Sequence, residues 1–167
     1  MNAPTDLPKP GDEDLRWCFD CRDAQAVIQV RLAGRDDLDL IDDIEIDSFV
    51  ADRFTRRNLR RMLAARKTLF LLARIGGEPA GYLALAFRRG SVISRIYSIA
   101  VAPNHRGVGV AQAMLGAAID LTARRGCAKI RLEVRKSNTK AITVYQRAGF
   151  HLRGTREAYY EDGEAAL

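Results

Sequence analysis

The spacing of apolar positions changes several times along the chain, and each change marks an element. Apolar runs, alternating or continuous, predict strands at 27–32, 68–75, 80–88 and 93–101. Leu38, Ile41 and Ile44 recur at helical spacing, with Phe49 at the end, and predict a helix over 36–49. Phe54, Leu59, Met62 and Leu63 form the stripe of a second helix over 55–65, with Thr55 as its N-cap. Gly76-Gly77 reads as a hairpin turn, and Gly90-Ser91 as the turn into the strand at 93–101. Met114, Leu115, Ala118, Ile119 and Leu121 predict a helix over 112–123. Ile130, Leu132 and Val134 then alternate with Lys129, Arg131, Glu133 and Arg135, the pattern of a strand. Ser137 or Asn138 can cap the next helix, on which Ala141 and Tyr145 share a face. Gly149 ends that helix as a left-handed cap, and Phe150 begins another strand. The predicted order is β-α-α-β-β-β-α-β-α-β, an α/β chain with a mixed sheet. No internal repeat interrupts it. The closing residues Glu164, Ala165, Ala166 and Leu167 offer little apolar sequence, so a final strand is expected to be short or missing.

The junction between the strand at 93–101 and the helix at 112–123 carries chemistry. It reads Arg106-Gly107-Val108-Gly109-Val110-Ala111. Two glycines let a ligand approach the backbone closely. The first N–H groups of a helix have no internal partner, and the helix dipole adds positive potential there. Phosphate or pyrophosphate suits such a place, and Arg106 adds a full charge. A Walker A loop is excluded, because Val110-Ala111 stands where Lys-Ser/Thr is needed. A dinucleotide fingerprint is excluded because its third glycine is replaced by Gln112.

The pattern Arg-x-x-Gly-x-Ala, Arg106 to Ala111, resembles the coenzyme A loop of the GNAT superfamily of N-acetyltransferases. A second segment resembles the same superfamily: Leu132, Glu133, Val134, Arg135 and Asn138, followed by Ala141, Tyr145, Gly149 and Phe150. Within it the residues are most similar to ribosomal-protein-alanine N-acetyltransferases, through Tyr97-Ser98-Ile99-Ala100-Val101, the run Leu132 to Arg135, and Tyr159-Tyr160-Glu161-Asp162-Gly163. The resemblance implies a mainly antiparallel mixed sheet with helices on both faces, and two splayed strands that admit the thioester of acetyl-CoA. It implies Glu133 as base and Tyr145 as acid, and Tyr159 and Tyr160 as a clamp on the acceptor backbone. The first helix contributes to the acceptor pocket near Glu45. Donor binding falls to Ile99, Ala100 and Val101, to the loop Arg106, Gly107, Val108, Gly109, Val110 and Ala111, and to Asn138. The pantetheine amides would pair with the open backbone of Ile99 and Val101, in the manner of an added strand.

These roles suit acetyl transfer. The nucleophile must be a neutral amine; an α-amine, with a pKa of about 7.7–8.0, needs less help near neutral pH than a lysine at about 10.4. The departing thiolate can take a proton from a tyrosine, and a backbone N–H can hold the oxyanion. Other roles are open to the same residues: Glu133 can pair with a neighbouring arginine, and Tyr145 can be a packed helix residue. The acceptor is expected to be a protein N-terminus, such as that of a ribosomal protein. A small amine or a lysine side chain is the alternative acceptor, and a non-catalytic acyl-CoA-binding module the alternative class.

Composition changes little in this picture. At 167 residues and 47% hydrophobic the chain can bury one core, expected over 25–167, with 1–24 a partly disordered extension. No apolar run reaches the ~20 residues of a membrane helix, and the first residues do not read as a secretory signal, so a cytoplasmic monomer or homodimer without membrane contact is expected. The net charge is +6, with Arg53, Arg56, Arg57, Arg60, Arg61, Arg66 and Lys67 clustered on the second helix and just beside it. Without interleaved aromatics that cluster reads as a solvated face, and no nucleic-acid partner is expected. Cys18 and Cys21 lack two further ligands at zinc spacing, so no metal is expected and reduced thiols are the reading. His105 and His151 receive no role.

Overall fold

The computed structural model describes residues 14–22, 26–65 and 67–167. The expected tail lies largely outside them, as does Arg66. The chain divides into two compact units, Met1–Arg131 and Leu132–Leu167.

The first unit is built on a six-stranded sheet in the order β1-β2-β3-β4-β5-β6. The strands are β1 (Arg16–Asp20), β2 (Val27–Ala33), β3 (Thr68–Ile75), β4 (Glu78–Ala86), β5 (Ile93–Val101) and β6 (Lys129–Arg131). Neighbours are antiparallel except β5 and β6, which run parallel. The helices of this unit are α1 (Leu38–Ser48), α2 (Arg56–Ala64) and α3 (Val110–Arg124).

Alternation along the strands sends side chains to two faces. Phe70, Leu72, Tyr82, Ala84 and Ala100 form one buried cluster with Ile41 and Ile44 of α1 and Leu59 of α2. α3 packs against β2, β3, β4 and β5. Gly81 admits both neighbours closely: a Cβ there would lie 2.7 Å from the Ala100 carbonyl oxygen of β5 and 3.0 Å from Met114 Cε of α3. Helices on both faces and a mainly antiparallel mixed sheet agree with the expected fold class. Thr55 caps α2 by accepting from the N–H of Asn58 at 3.2 Å, and Gly76-Gly77 joins β3 to β4 as a two-residue turn.

One strand was not legible. Arg16–Asp20, placed by sequence in the extension before the first expected strand, is β1, paired from Arg16↔Arg31 to Asp20↔Val27. Its place is secured by α3: Trp17 Nε1 donates to Asp120 at 2.9 Å, and the absence of a side chain at Gly116 leaves room for the Phe19 ring.

The second unit holds one helix, α4 (Thr139–Arg147). Asn138 caps it, accepting from the N–H of Ala141 at 3.1 Å. Its end is a Schellman turn. Phe150 N–H reaches the Tyr145 carbonyl and Gly149 N–H that of Gln146, both at 3.0 Å, while the Phe150 ring packs on Tyr145 with centroids 5.9 Å apart. Of two expected strands, one is shorter than predicted and the other is absent among the described residues. The ladder of β6 stops at Arg131, and Val134 instead exchanges both backbone bonds with Leu167, at 3.2 and 2.9 Å. Phe150 does not begin a strand, because its N–H closes the helix; the next pairing is the bridge of Arg156 with Ala166. Ala166 also bridges Arg135 and is fully buried, so the closing strand is reduced to single bridges.

Candidate active site

In the first unit the candidate site begins at the free edge of β5. β6 pairs with β5 only at Ile93, Ser94 and Arg95, so within this unit the edge of β5 beyond Arg95 has no ladder partner. Ala102 N–H donates to the Ala80 carbonyl at 2.9 Å, and the alternation of an antiparallel ladder therefore turns Ala100 toward β4 and Ile99 and Val101 outward. The Val101 carbonyl is already in use: Ser48 Oγ and Arg106 Nε donate to it at 3.3 and 3.2 Å. A register shift leaves Tyr97 without a partner opposite, between the pairs Ser98↔Ala84 and Ile96↔Leu85. Tyr97 is half exposed, and the Arg95 guanidinium lies 5.1 Å from its ring centre.

The loop that follows is shaped for an anion. Gly109 is the N-cap of α3 at φ +106°, and no side chain caps the helix. The first intrahelical bond is Ala113 N–H to the Gly109 carbonyl, so the N–H groups of Val110, Ala111 and Gln112 precede the helix ladder. With the positive end of the helix dipole they offer several donors to one phosphate group. Arg22 N–H holds the loop by donating to Val108 at 3.1 Å.

Beneath the sheet on the α1 side, Glu45 is 1% exposed. One of its oxygens accepts from Phe54 N–H at 2.6 Å, the other from the Tyr82 hydroxyl, which also lies 2.9 Å from Ser98 Oγ. Burial raises the pKa of Glu45, opposed by those two bonds. Burial, and then the adjacent Glu45 charge, push the Tyr82 phenol up. Glu45 thus stands under the wall of the site and presents no free oxygen to a pocket. A cavity of about 460 Å³ is lined by Asp43, Ile44 and Asp47 of α1 and by Pro79, Asn104 and His105, without Glu45.

In the second unit, Glu133 is nearly buried, its side chain 11% exposed, with Arg156 Nη1 at 4.0 Å. Tyr145 is packed on Phe150, and burial raises its phenol above the ordinary value, with a smaller contribution from Tyr160. Tyr159 and Tyr160 stack edge to face at 5.1 Å. Their N–H groups both point to the Glu164 carbonyl, at 3.1 and 3.2 Å. Arg135 organises this turn: its guanidinium covers the Tyr160 ring at 4.0 Å and donates to Asp162 and Glu164 at 2.8 and 2.7 Å. Glu164 also accepts from Ser137 N–H at 2.8 Å, and the bonds from Ser137 and Arg135 hold its carboxyl at about 2. The Asn138 side chain is occupied as the cap of α4.

Sequence reasoning missed Tyr82, Ser98, Arg22 and Arg135 as parts of these arrangements. One signal was available. Glu45 is four residues after Ile41, so a carboxylate stood on the apolar face of its helix. Among the described residues no group of three or more His, Cys, Asp or Glu is placed to hold a metal, and no helix is long and apolar enough to cross a membrane.

The edge of β5 without a ladder partner beyond Arg95 is followed at once by a glycine loop and by a helix start that no side chain caps. Residues 38–150 match the acetyltransferase (GNAT) family, and the chain belongs to that family of acetyltransferases. Its members take the acetyl group from acetyl-CoA. Over 139 residues the chain is 29% identical to a putative ribosomal protein bS18-alanine N-acetyltransferase of Bacillus subtilis, covering 83% of this chain and 91% of that protein. It is 34% identical over 102 residues to streptothricin acetyltransferase of Streptomyces lavendulae, a match to 59% of this chain and only 54% of that protein's length. The crystal structure of the ribosomal-protein-S18-alanine N-acetyltransferase from Escherichia coli superimposes with a TM-score of 0.75 at 27% identity, covering 83% of this chain and 89% of that one.

Proposed function

We propose that this acetyltransferase transfers acetyl from acetyl-CoA to the N-terminal α-amine of a protein, such as a ribosomal protein. The observation that carries the reading is the similarity to the bacterial ribosomal-protein-alanine enzymes over most of both chains. In this reading residues 25–167 act as the catalytic domain, in the cytoplasm, as a monomer or homodimer. The pyrophosphate is held by the N–H groups of the loop Arg106 to Ala111, and pantetheine extends along Ile99, Ala100 and Val101, with Asn138 contributing on the donor side. Val101 would exchange its bonds to Ser48 and Arg106 for bonds to the donor.

Glu133 takes the proton of the α-amine through water, a modest task for a group of pKa about 7.7–8.0. The neutral nitrogen attacks the thioester carbon, the oxyanion is held by backbone N–H, and the C–S bond breaks. Tyr145 donates to the departing sulfur. Its raised pKa keeps it protonated throughout the neutral range, which supports that role. Tyr159 and Tyr160, on the turn that Arg135 organises, hold the acceptor backbone.

The streptothricin relative supports a second reading, a small amine as acceptor. One experiment separates them: incubate the protein with acetyl-CoA and, in turn, an N-terminal peptide, a lysine peptide with a blocked N-terminus, and polyamines or streptothricin. Preferred turnover of the N-terminal peptide is the expected result. Turnover confined to the small amines would overturn the proposal.

A further inference from the structure

The chain Ser98–Tyr82–Glu45 has a definite hydrogen-bond direction. A phenol has one proton and a serine hydroxyl has one. When Glu45 is ionised it can only accept, so the Tyr82 proton goes to the carboxylate. Ser98 must then donate its own proton to Tyr82 across the 2.9 Å contact. What remains on Ser98 Oγ are lone pairs. Ser98 is half-buried on the α1 face of β5 and immediately precedes Ile99, the first of the outward-facing residues on the free strand edge. Glu45 and Tyr82 are both out of reach of a ligand, at 1% and 0% exposure.

We propose that Ser98 accepts a hydrogen bond from an N–H of the acceptor amine, and that Glu45, acting through Tyr82, is the positioning residue that holds Ser98 in this accepting direction. The inference rests on the N-acetyltransferase reading above. Its chemical logic is the direction of attack. The nucleophilic nitrogen must aim its lone pair at the thioester carbon. An accepting serine engages an N–H and leaves the lone pair free. A donating serine would bond to the lone pair itself and oppose the attack.

Protonation of Glu45 reverses the chain. The carboxylic acid then donates to Tyr82, Tyr82 to Ser98, and Ser98 presents a proton to the site. Burial and Asp42 on α1 favour the protonated form. Arg53 in the α1–α2 connection, Phe54 N–H and the Tyr82 hydroxyl favour the ionised one.

The test is steady-state acetyl transfer to an N-terminal peptide by the full chain carrying Glu45→Gln, Ser98→Ala or both. Glutamine keeps the bond from Phe54 but donates to Tyr82, so it fixes the reversed direction at nearly unchanged shape. Each single variant should lose roughly tenfold in kcat/KM for the peptide, the size expected for one hydrogen bond, mainly through its KM. The acetyl-CoA-induced rise in melting temperature should not change. The double variant should lose no more than S98A alone, since both act on one bond. The advantage of the wild type over S98A should also shrink as the pH falls and Glu45 takes up its proton. Ser98→Thr, which keeps the hydroxyl, should retain most of the activity. An S98A enzyme within twofold of wild type, or equal E45Q losses with and without S98A, would overturn the inference. A wild-type protein that binds acetyl-CoA and acetylates no amine would overturn the N-acetyltransferase reading instead.

Discussion

The backbone N–H of Arg22 donates to the carbonyl of Val108 at 3.1 Å, tying the residue just beyond β1 to the loop that opens α3. The two are 86 positions apart. Together with the pairing of β1 against β2, this bond gives the glycine loop a fixed support, so its N–H groups are arranged before a ligand arrives.

Donor binding should therefore depend on Gly109. At φ +106° any side chain there is strained, at about 1–2 kcal/mol. Gly109→Ala and Gly109→Asp should both lower the melting temperature of the unliganded protein. Alanine carries the backbone strain without the carboxylate, so any further loss in Asp comes from the carboxylate group. Acetyl-CoA should still stabilise the alanine variant and should no longer stabilise the aspartate variant. An undiminished thermal shift in G109D would remove the pyrophosphate from this loop.

Tyr145→Phe should lower kcat by at least tenfold while acetyl-CoA binding changes little, because the hydroxyl acts on the sulfur only as the C–S bond breaks. Burial raises the phenol above its ordinary value, so the deficit should be constant from pH 6 to 9. Unchanged turnover would leave Tyr145 as the packing partner of Phe150 and no more.

Glu133→Gln keeps the shape of the side chain and removes its basicity. On an N-terminal peptide the rate deficit should be largest at pH 6–7, where the amine is mostly protonated. It should narrow toward pH 9, where solvent has already taken the proton. A deficit independent of pH would mean that Glu133 serves Arg156, 4.0 Å away, and not the amine.

Glu164 links acidity to the tyrosine turn. Its carboxyl is held at about 2 in the folded chain, below the ordinary 4.5, chiefly by Ser137 and then by Arg135. A depressed folded-state value means that its contribution to stability is complete above about pH 5 and is lost as the pH falls from 4.5 toward 2. Denaturant unfolding of wild type and Glu164→Gln should accordingly differ most at pH 6–7 and converge near pH 2. A gap that persists at pH 2 would show that the variant's deficit comes from packing and not from the charge.

How much of this was legible follows from the range of each interaction. The glycine loop, the caps at Thr55 and Asn138, the Gly76-Gly77 turn and the Gly149 helix stop were readable because each depends on backbone groups within a few residues. The strand-loop-helix junction from Arg106 to Ala111 belongs with them: the N–H groups left without a helical partner are set by neighbours in sequence, so the spacing can be seen in one stretch of chain, whereas its support by Arg22 could not. β1 could not be read that way. It lies in the stretch read as an extension, and it is a strand because Trp17 reaches Asp120, 103 positions away, and because β2 offers a free edge. The pairing of Val134 has the same origin, since its partner is Leu167, far along the chain. Glu45 and Ser98 were each noticed in the sequence, Glu45 as a pocket residue and Ser98 within a motif, but nothing linked them to each other or to Tyr82. A serine, a tyrosine and a glutamate from two strands and a helix acquire a shared proton order only when folding removes water from around them, and each polar group must then be satisfied by the others.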